Sequence, residues 1–331
     1  MKKYLQPDKI ENYSGFRAGL GKIEILKKHQ YYVTDQPVSG DAPKKFIKHY
    51  EYGEAAKRHP NKWPAFIAKT GHKWYPIESI TEYLLNRLGE TLGIRMAASK
   101  LAYGGSQIRF LSKYFLAPDQ SLVHGAQIYA GYFGDDQDFV EEIEKNKLAK
   151  ELLTLQITQK AILKFFPIHA HQILEDLIKM LLFDAWVGNN DRHFYNWGVI
   201  TDVKGRQTPY FSPVYDTARG LFWNYQEQKI VSLSKNSKEL EAQIKKYITG
   251  SSPKIGWDSE VDINHIRLVE QIAKYNFGLK RESIHDLFSD DNLRKCEALI
   301  HDEFHGLLSP ERIYVVNRCL ERRIEEIRKV I

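Results

Sequence analysis

Thiols are nearly absent from this chain. Its two cysteines, Cys296 and Cys319, fall within helix-like patterns near the C-terminus and read as packing residues. They offer neither a disulfide framework nor metal-ligand spacing, which fits a reducing compartment and makes the cytoplasm the expected location. Long apolar runs are missing too. No stretch of about 18 apolar residues occurs, so no membrane span is expected. The N-terminus, MKKYLQPDKIENY, has lysines with no apolar segment behind them and does not read as a secretory signal. Strong charge of one sign is also lacking. A formal net charge of +6 suits an anionic ligand but makes no specific case for direct contact with nucleic acid. His169 and His171 invite a metal reading, yet zinc needs two further ligands and no second pair is evident, so both read as polar residues at a helix start. Internal repeats and low-complexity tracts are absent.

What remains is ordinary globular material. Hydrophobic residues make up 43% and charged residues 27% of the chain, which argues against wholesale disorder. A length of 331 residues suffices for one large domain or for two lobes with a cleft between them. The chemistry concentrates between Phe183 and Gly220, in FDAWVGNNDRHFYNWGVI and, after a polar loop, FSPVYDTARG. Asp191 and Asn196 stand five residues apart, between a long apolar helix pattern and a short strand pattern. Asp216 ends another strand-like run, PYFSPVYD. Phosphoryl transfer from ATP needs such a kit: a carboxylate to orient and deprotonate the attacking hydroxyl, and an amide with a second carboxylate to hold magnesium on the nucleotide phosphates. The same Asp-to-Asn spacing occurs in protein-kinase catalytic loops. The plainer reading is a polar turn, since Asn and Asp tolerate left-handed backbone and Asp216 could cap the segment that follows.

Taken in order, the chain first yields a possible short element at Lys22–Leu26 and a strand at Gln30–Thr34. Ser39 and Gly40 form a turn whose backbone N–H groups could meet phosphates, although the stretch alone reads as a plain hairpin. A strand resumes at Phe46–Tyr50. WPAFIAK reads as a buried strand ending in Lys69. Such a lysine either snorkels to solvent or is held for an anion. Ile77–Leu92 reads as an amphipathic helix with Glu78 and Glu82 in its first turns. Glu82 is the better candidate partner for Lys69, and the alternative is that both glutamates complement the helix dipole. Ser99–Tyr103 and Gln107–Leu116 form a hairpin across Gly104-Gly105, the second run closing a small sheet. Beyond residues 115–120 most segments read as helical. One or two helices are expected within Asp138–Lys164, then His171–Val187. A hairpin around Gly205 should bring Asn196 and Asp216 close, as shared metal binding requires. Helices follow at Ser237–Thr249, Asp262–Tyr275, Glu282–Phe304 and from Pro310 to the end, with SSPKIGW at 251–257 as a loop. The last helix carries Arg312, Arg318, Arg322, Arg323 and Arg328, read as a solvated face.

These residues carry a family resemblance. GNNDRHFYNWGVI followed by SPVYD resembles the core of the HipA-like serine/threonine kinases, the toxin kinases of bacterial toxin–antitoxin modules. SGDAPK at 39–44 resembles that family's SGxQPK loop, with Ala42 in place of Gln. FIAK at 66–69 resembles its nucleotide-binding lysine strand, ITEYLLNRLGETLGI its first N-lobe helix, and FLSKYF at 110–115 its hinge strand. The matches keep family order over roughly residues 36–220. The resemblance implies an α+β, two-lobed protein-kinase-like fold. A β-rich N-lobe at 1–115 would carry the nucleotide-covering loop and Lys69, and a mainly helical C-lobe at 116–331 the catalytic loop and metal site. It implies ATP and Mg2+ as cofactors, Asp191 as base, and Asn196 and Asp216 on magnesium. Lys69 would contact the phosphates, supported by Glu82. Ser39 and Gly40 would cover them, and backbone groups of Ser112 and Tyr114 would meet the adenine. It further implies inhibitory autophosphorylation of Ser39 and a protein substrate. Longer family members carry an additional N-terminal subdomain, and only 38 residues precede Ser39 here. The expectation is therefore a short form whose missing piece is supplied by a separate small protein, beside a DNA-binding antitoxin.

Two other functions compete. An Asp-Arg-His-x-x-Asn loop also resembles that of phosphoinositide kinases, so a lipid or small-molecule kinase is the alternative, though SPVYD and the SG loop fit the first class better. A catalytically dead binding module would be expected to lack one of Lys69, Asp191, Asn196 or Asp216, and all four are present.

Overall fold

Short alternating segments rich in aromatic and β-branched residues lay down a six-stranded sheet in the first third of the chain. In the computed structural model, which describes residues 3–38, 42–134, 138–260 and 262–331, its strands are β1 (Glu24–Ile25), β2 (Tyr31–Val33), β3 (Lys44–His49), β4 (Ala65–Lys69), β5 (Ser99–Gly104) and β6 (Gln107–Lys113). Their order is β1-β5-β6-β4-β3-β2. All neighbours are antiparallel except β1 and β5. β6, the last strand in sequence, thus lies in the middle. One face is closed by a small cluster of Leu5, Leu26, Tyr31, Ile47, Phe66, Ala68, Ala102 and Leu111. The sheet curls until Glu24 of β1 meets His49 of β3 at 3.3 Å and Lys100 of β5 at 2.9 Å. The His49 hydrogen bond holds the Glu24 carboxyl at about 2, against the effect of burial and with help from Lys100.

The other face receives α1 (Ile77–Thr91), whose Ile80, Leu84, Leu85 and Leu88 are buried at helical spacing. These side chains belong to the same apolar cluster that runs through the helical remainder to Ile327. The sheet and the helices therefore share one core through α1. The curled sheet followed by a helical remainder makes this an α+β fold.

The remainder opens with β7 (Gln120–His124), then α2 (Gly125–Phe133), α3 (Phe139–Lys145), α4 (Ala149–Leu152), α5 (Leu155–Phe165) and α6 (Ala170–Val187). A hairpin of β8 (Gly198–Asp202) and β9 (Tyr210–Phe211) follows, then α7 (Glu227–Lys235), α8 (Ser237–Gly250), α9 (His265–Tyr275), α10 (Arg281–Leu287), α11 (Asp290–Phe304) and α12 (Pro310–Arg328). β8 lies between β7 and β9. α6 is apolar on most of its circumference, and thirteen of its residues are buried, as a central helix requires. Side-chain oxygens of Thr154, Asn236, Asn264, Ser289 and Ser309 cap α5, α8, α9, α11 and α12. Among the described residues no helix is long and apolar enough to cross a membrane.

Several expectations need correction. β7, α2 and α7 were not anticipated, and Asp138–Lys164 holds three helices rather than one or two. Glu282–Phe304 is two helices, because the Ser289 cap accepts from Asn292 N and starts α11 afresh. The strand after Gln107 stops at Lys113. α12 is not simply a solvated face, since Arg312 and Arg323 are buried. Arg312 pairs with Glu227 at 2.9 Å and donates to the Tyr225 carbonyl at 2.8 Å. Arg323 donates to the Ala185 carbonyl near the C-terminal end of α6, at 2.7 and 2.9 Å, where a cation is favoured. Cys296 and Cys319 are free and buried.

Candidate active site

Lys69 ends β4 in register with Lys44 of β3. Directly opposed residues in an antiparallel pair share a face, so both lysines point the same way. Lys69 Nζ is buried, 2.7 Å from Glu82 Oε1 on α1 and 2.7 Å from Asp216 Oδ1. Lys44 Nζ lies 3.8 Å from Asp216 Oδ2. Burial works against the Lys69 ammonium, but the charges of Asp216 and Glu82 outweigh it and lift its pKa above the ordinary lysine value. Burial likewise opposes the Asp216 carboxylate, and Lys69 followed by Lys44 holds it well below the usual carboxylate range. Burial pushes Glu82 upward while Lys69 pulls it back. Glu78, the other candidate, accepts from the Lys73 and Trp74 N–H groups instead. A chain of alternating charge, Glu82–Lys69–Asp216, thus joins the helix, the sheet and the segment after β9.

Asp216 adopts a φ of +55°, in the left-handed region. Few side chains sit there without cost, and such residues cluster at functional sites. What holds it is Arg192, a buried hub that sequence reasoning missed. Arg192 forms a two-pronged pair with Asp184 of α6 at 2.8 and 3.0 Å. It also donates to the carbonyls of Asn196 at 3.1 Å and Tyr215 at 2.7 Å, and to Thr217 Oγ1 at 2.7 Å. One guanidinium therefore fixes the end of α6, the loop 189–196 and the Asp216 segment relative to one another. Asn189 reinforces the loop through Asp184 Oδ1 at 2.8 Å. The only sequence signal was Asp184 within the apolar run at 180–187 that ends the helix.

Asp191 lies in that loop, about a third exposed, with Oδ2 3.1 Å from Arg219 Nε. A cavity of about 380 Å3 opens beside it, lined by Glu141, Glu144, Asp191, His193, Tyr195 and Lys254. Burial pushes the His193 pKa down, against the pull of the Asp191 and Asp216 carboxylates. Asn196 is buried and donates its Nδ2 to the Asp191 carbonyl at 2.9 Å. That fixes the amide with Oδ1 left as an acceptor. The hairpin β8–β9 separates Asn196 from Asp216, with Val199 opposite Phe211. Among the described residues no cluster of three His, Cys, Asp or Glu side chains is arranged for a metal. An amide oxygen and one carboxylate still suit magnesium, which takes few protein ligands and keeps phosphate and water oxygens for the rest.

The other expected residues are placed less simply. Ser39 and Gly40 lie outside the described residues. Ser112 sits near the end of β6 beside Glu82 and Asp216, around a cavity of about 10 Å3. The Tyr114 N–H already donates to the Ala65 carbonyl at 2.8 Å, so that donor is spent within the sheet and only the carbonyl side is open to a base.

A small curled sheet whose Lys69 pairs with Glu82 of the adjoining helix, set on a helical body carrying an Asp-x4-Asn loop, defines the kinase class of fold. Within that class, the family model for the HipA-like C-terminal domain matches residues 37–286, and the chain belongs to that family. A crystal structure of a Helicobacter pylori proinflammatory kinase, CtkA, is similar over 93% of this chain and 96% of that one, with 18% identity and a TM-score of 0.68. A chain from the Shewanella oneidensis MR-1 toxin–antitoxin system HipA, HipB and its operator DNA complex is similar over 91% of this chain and 69% of that one, with 16% identity and a TM-score of 0.50. At such identities the likeness is one of fold. No curated protein matches the chain in sequence.

Proposed function

We propose that this chain is an ATP-dependent protein serine/threonine kinase, with residues 1–115 as N-lobe and 116–331 as C-lobe. The observation that carries the reading is the Glu82–Lys69–Asp216 charge chain at 2.7 Å spacing, tied by Arg192 to the loop that bears Asp191 and Asn196. Lys69 contacts the nucleotide phosphates and Glu82 keeps it aimed. Backbone groups of Ser112 and the Tyr114 carbonyl face the adenine, and the Ser39-Gly40 loop covers the phosphates. Asp191 accepts the proton of the acceptor hydroxyl. Asn196 Oδ1 and Asp216 hold magnesium, which when bound neutralises phosphate charge.

Ser39 is the proposed site of inhibitory self-modification. A phosphate there adds about −1.5 to −2 charges next to a site that must hold the phosphates of ATP, and repulsion moves the loop away. By analogy with the Shewanella complex of HipA, HipB and operator DNA, an antitoxin that binds DNA is a proposed companion; the family resemblance adds a separate small protein in place of the N-terminal subdomain, and a cellular protein as substrate. Phosphoproteomic comparison of cells making wild type and Asp191→Ala tests the reading. New phosphoserine or phosphothreonine sites in wild type alone, with Ser39 among them, are expected. Identical phosphoproteomes would remove protein phosphorylation, and phosphate on other proteins with none on Ser39 would remove only the self-modification.

A further inference from the structure

The backbone around Arg219 is fixed in place, yet among the described residues its side chain is paired with Asp191 alone and leaves most of its donors open. It lies three residues beyond Asp216, in a segment anchored at both ends. At one end Lys69 holds Asp216, and Arg192 donates to Thr217. At the other, Leu221 N donates to the Val187 carbonyl at 3.2 Å and to Tyr247 Oη at 3.1 Å. Gly220 packs so closely that a Cβ there would stand 2.7 Å from the Val187 carbonyl oxygen. The Arg219 guanidinium lies over the Trp223 ring, 5.4 Å from its centroid, and its side chain is 32% exposed. Its charge pair is Asp191, at 3.1 Å, and it donates no well-formed hydrogen bond to any described residue. Arg192 and Arg312, by contrast, spend their donors on carboxylates and carbonyls.

A guanidinium has five donors in a planar fork that matches phosphate oxygens. Here the fork lies 3.1 Å from Asp191, the carboxylate proposed to take the acceptor proton, three residues beyond Asp216, the carboxylate proposed to take magnesium. Lys69 shares its three donors among Glu82, Asp216 and, in the reading above, the nucleotide phosphates. We propose that Arg219 is a catalytic residue that binds the phosphoryl group in flight and, between turnovers, rests on Asp191. This rests on the kinase reading above. In the step, the acceptor hydroxyl oxygen bonds to the terminal phosphorus of ATP. The bond from that phosphorus to the β–γ bridging oxygen breaks, and its electron pair leaves on ADP. The hydroxyl proton passes to Asp191. Charge spreads over the three equatorial phosphoryl oxygens, where Arg219 supplies N–H donors, and its swing toward them frees the Asp191 carboxylate.

The test is calorimetric titration of wild type, Arg219→Ala and Arg219→Lys with ADP and with ADP plus aluminium fluoride, both in magnesium buffer. Aluminium fluoride mimics the planar phosphoryl group, so the readout is binding and needs no substrate. Wild type is expected to bind the pair far more tightly than ADP. Arg219→Ala should keep ADP affinity and lose roughly 100- to 1,000-fold for the pair, the scale of one lost transition-state donor. Arg219→Lys, which keeps the charge without the fork, should fall between and decides the matter if the alanine variant does not fold. Wild-type affinity for the pair in either variant, or an equal loss for ADP alone, overturns the proposal. A wild type that gains nothing from aluminium fluoride overturns the kinase reading, and this inference with it.

Discussion

Asp216 is held in a left-handed backbone conformation while its carboxylate faces two lysines. Neither feature benefits packing, because its side chain is about a third exposed. Asp216→Ala is expected to abolish magnesium-dependent turnover while far-UV circular dichroism stays that of a folded protein, with a lowered melting midpoint because buried Lys69 loses one of its two carboxylate partners. Full activity in that variant would take Asp216 out of the site. Lys69 was legible as a candidate for a physical reason: it ends a buried strand, and a lysine is rarely buried unless something holds it. Arg219 was not legible, because only the fold brings it to Asp191.

At the scale of elements, the site depends on how α6 hands over to the loop after it. Gly188 ends α6 at a φ of +69°, which glycine tolerates best, and Arg192 then turns back to Asp184 on the same helix. Both charges are buried. Removing one partner leaves the other unpaired in the core, a change that typically costs about 3–5 kcal/mol. Asp184→Ala is accordingly expected to lower the unfolding free energy by about that amount in denaturant titration, and a loss below about 1 kcal/mol would show that Arg192 finds other support. Helix α6 and strands β2 to β6 could be read from their apolar, aromatic and β-branched runs, since α6 is apolar on most of its circumference and β6 is buried on both faces. The rest could not. β7 is five residues long with weak alternation, and is a strand because β8 pairs with it. Ser289 looked like one more polar residue in a helix until its cap geometry divided α10 from α11. The burial of Arg312 and Arg323 follows from the carbonyls that α7, α6 and their flanking turns present to α12.

At the scale of the molecule, sheet and helical body share one apolar cluster through α1, and the charge chain Glu82–Lys69–Asp216 spans the same junction. Shifts of α1 would thus change both packing and the aim of Lys69. The central claim is that this junction transfers a phosphoryl group with Asp191 as base. Its most direct test is phosphate transfer from γ-labelled ATP, measured for purified wild type and Asp191→Asn with magnesium and with excess chelator, on the protein itself and on added lysate. The account predicts label on protein only with magnesium, and a loss of roughly 100- to 10,000-fold in Asp191→Asn. Transfer in that variant within about threefold of wild type, far short of a general-base contribution, would contradict it.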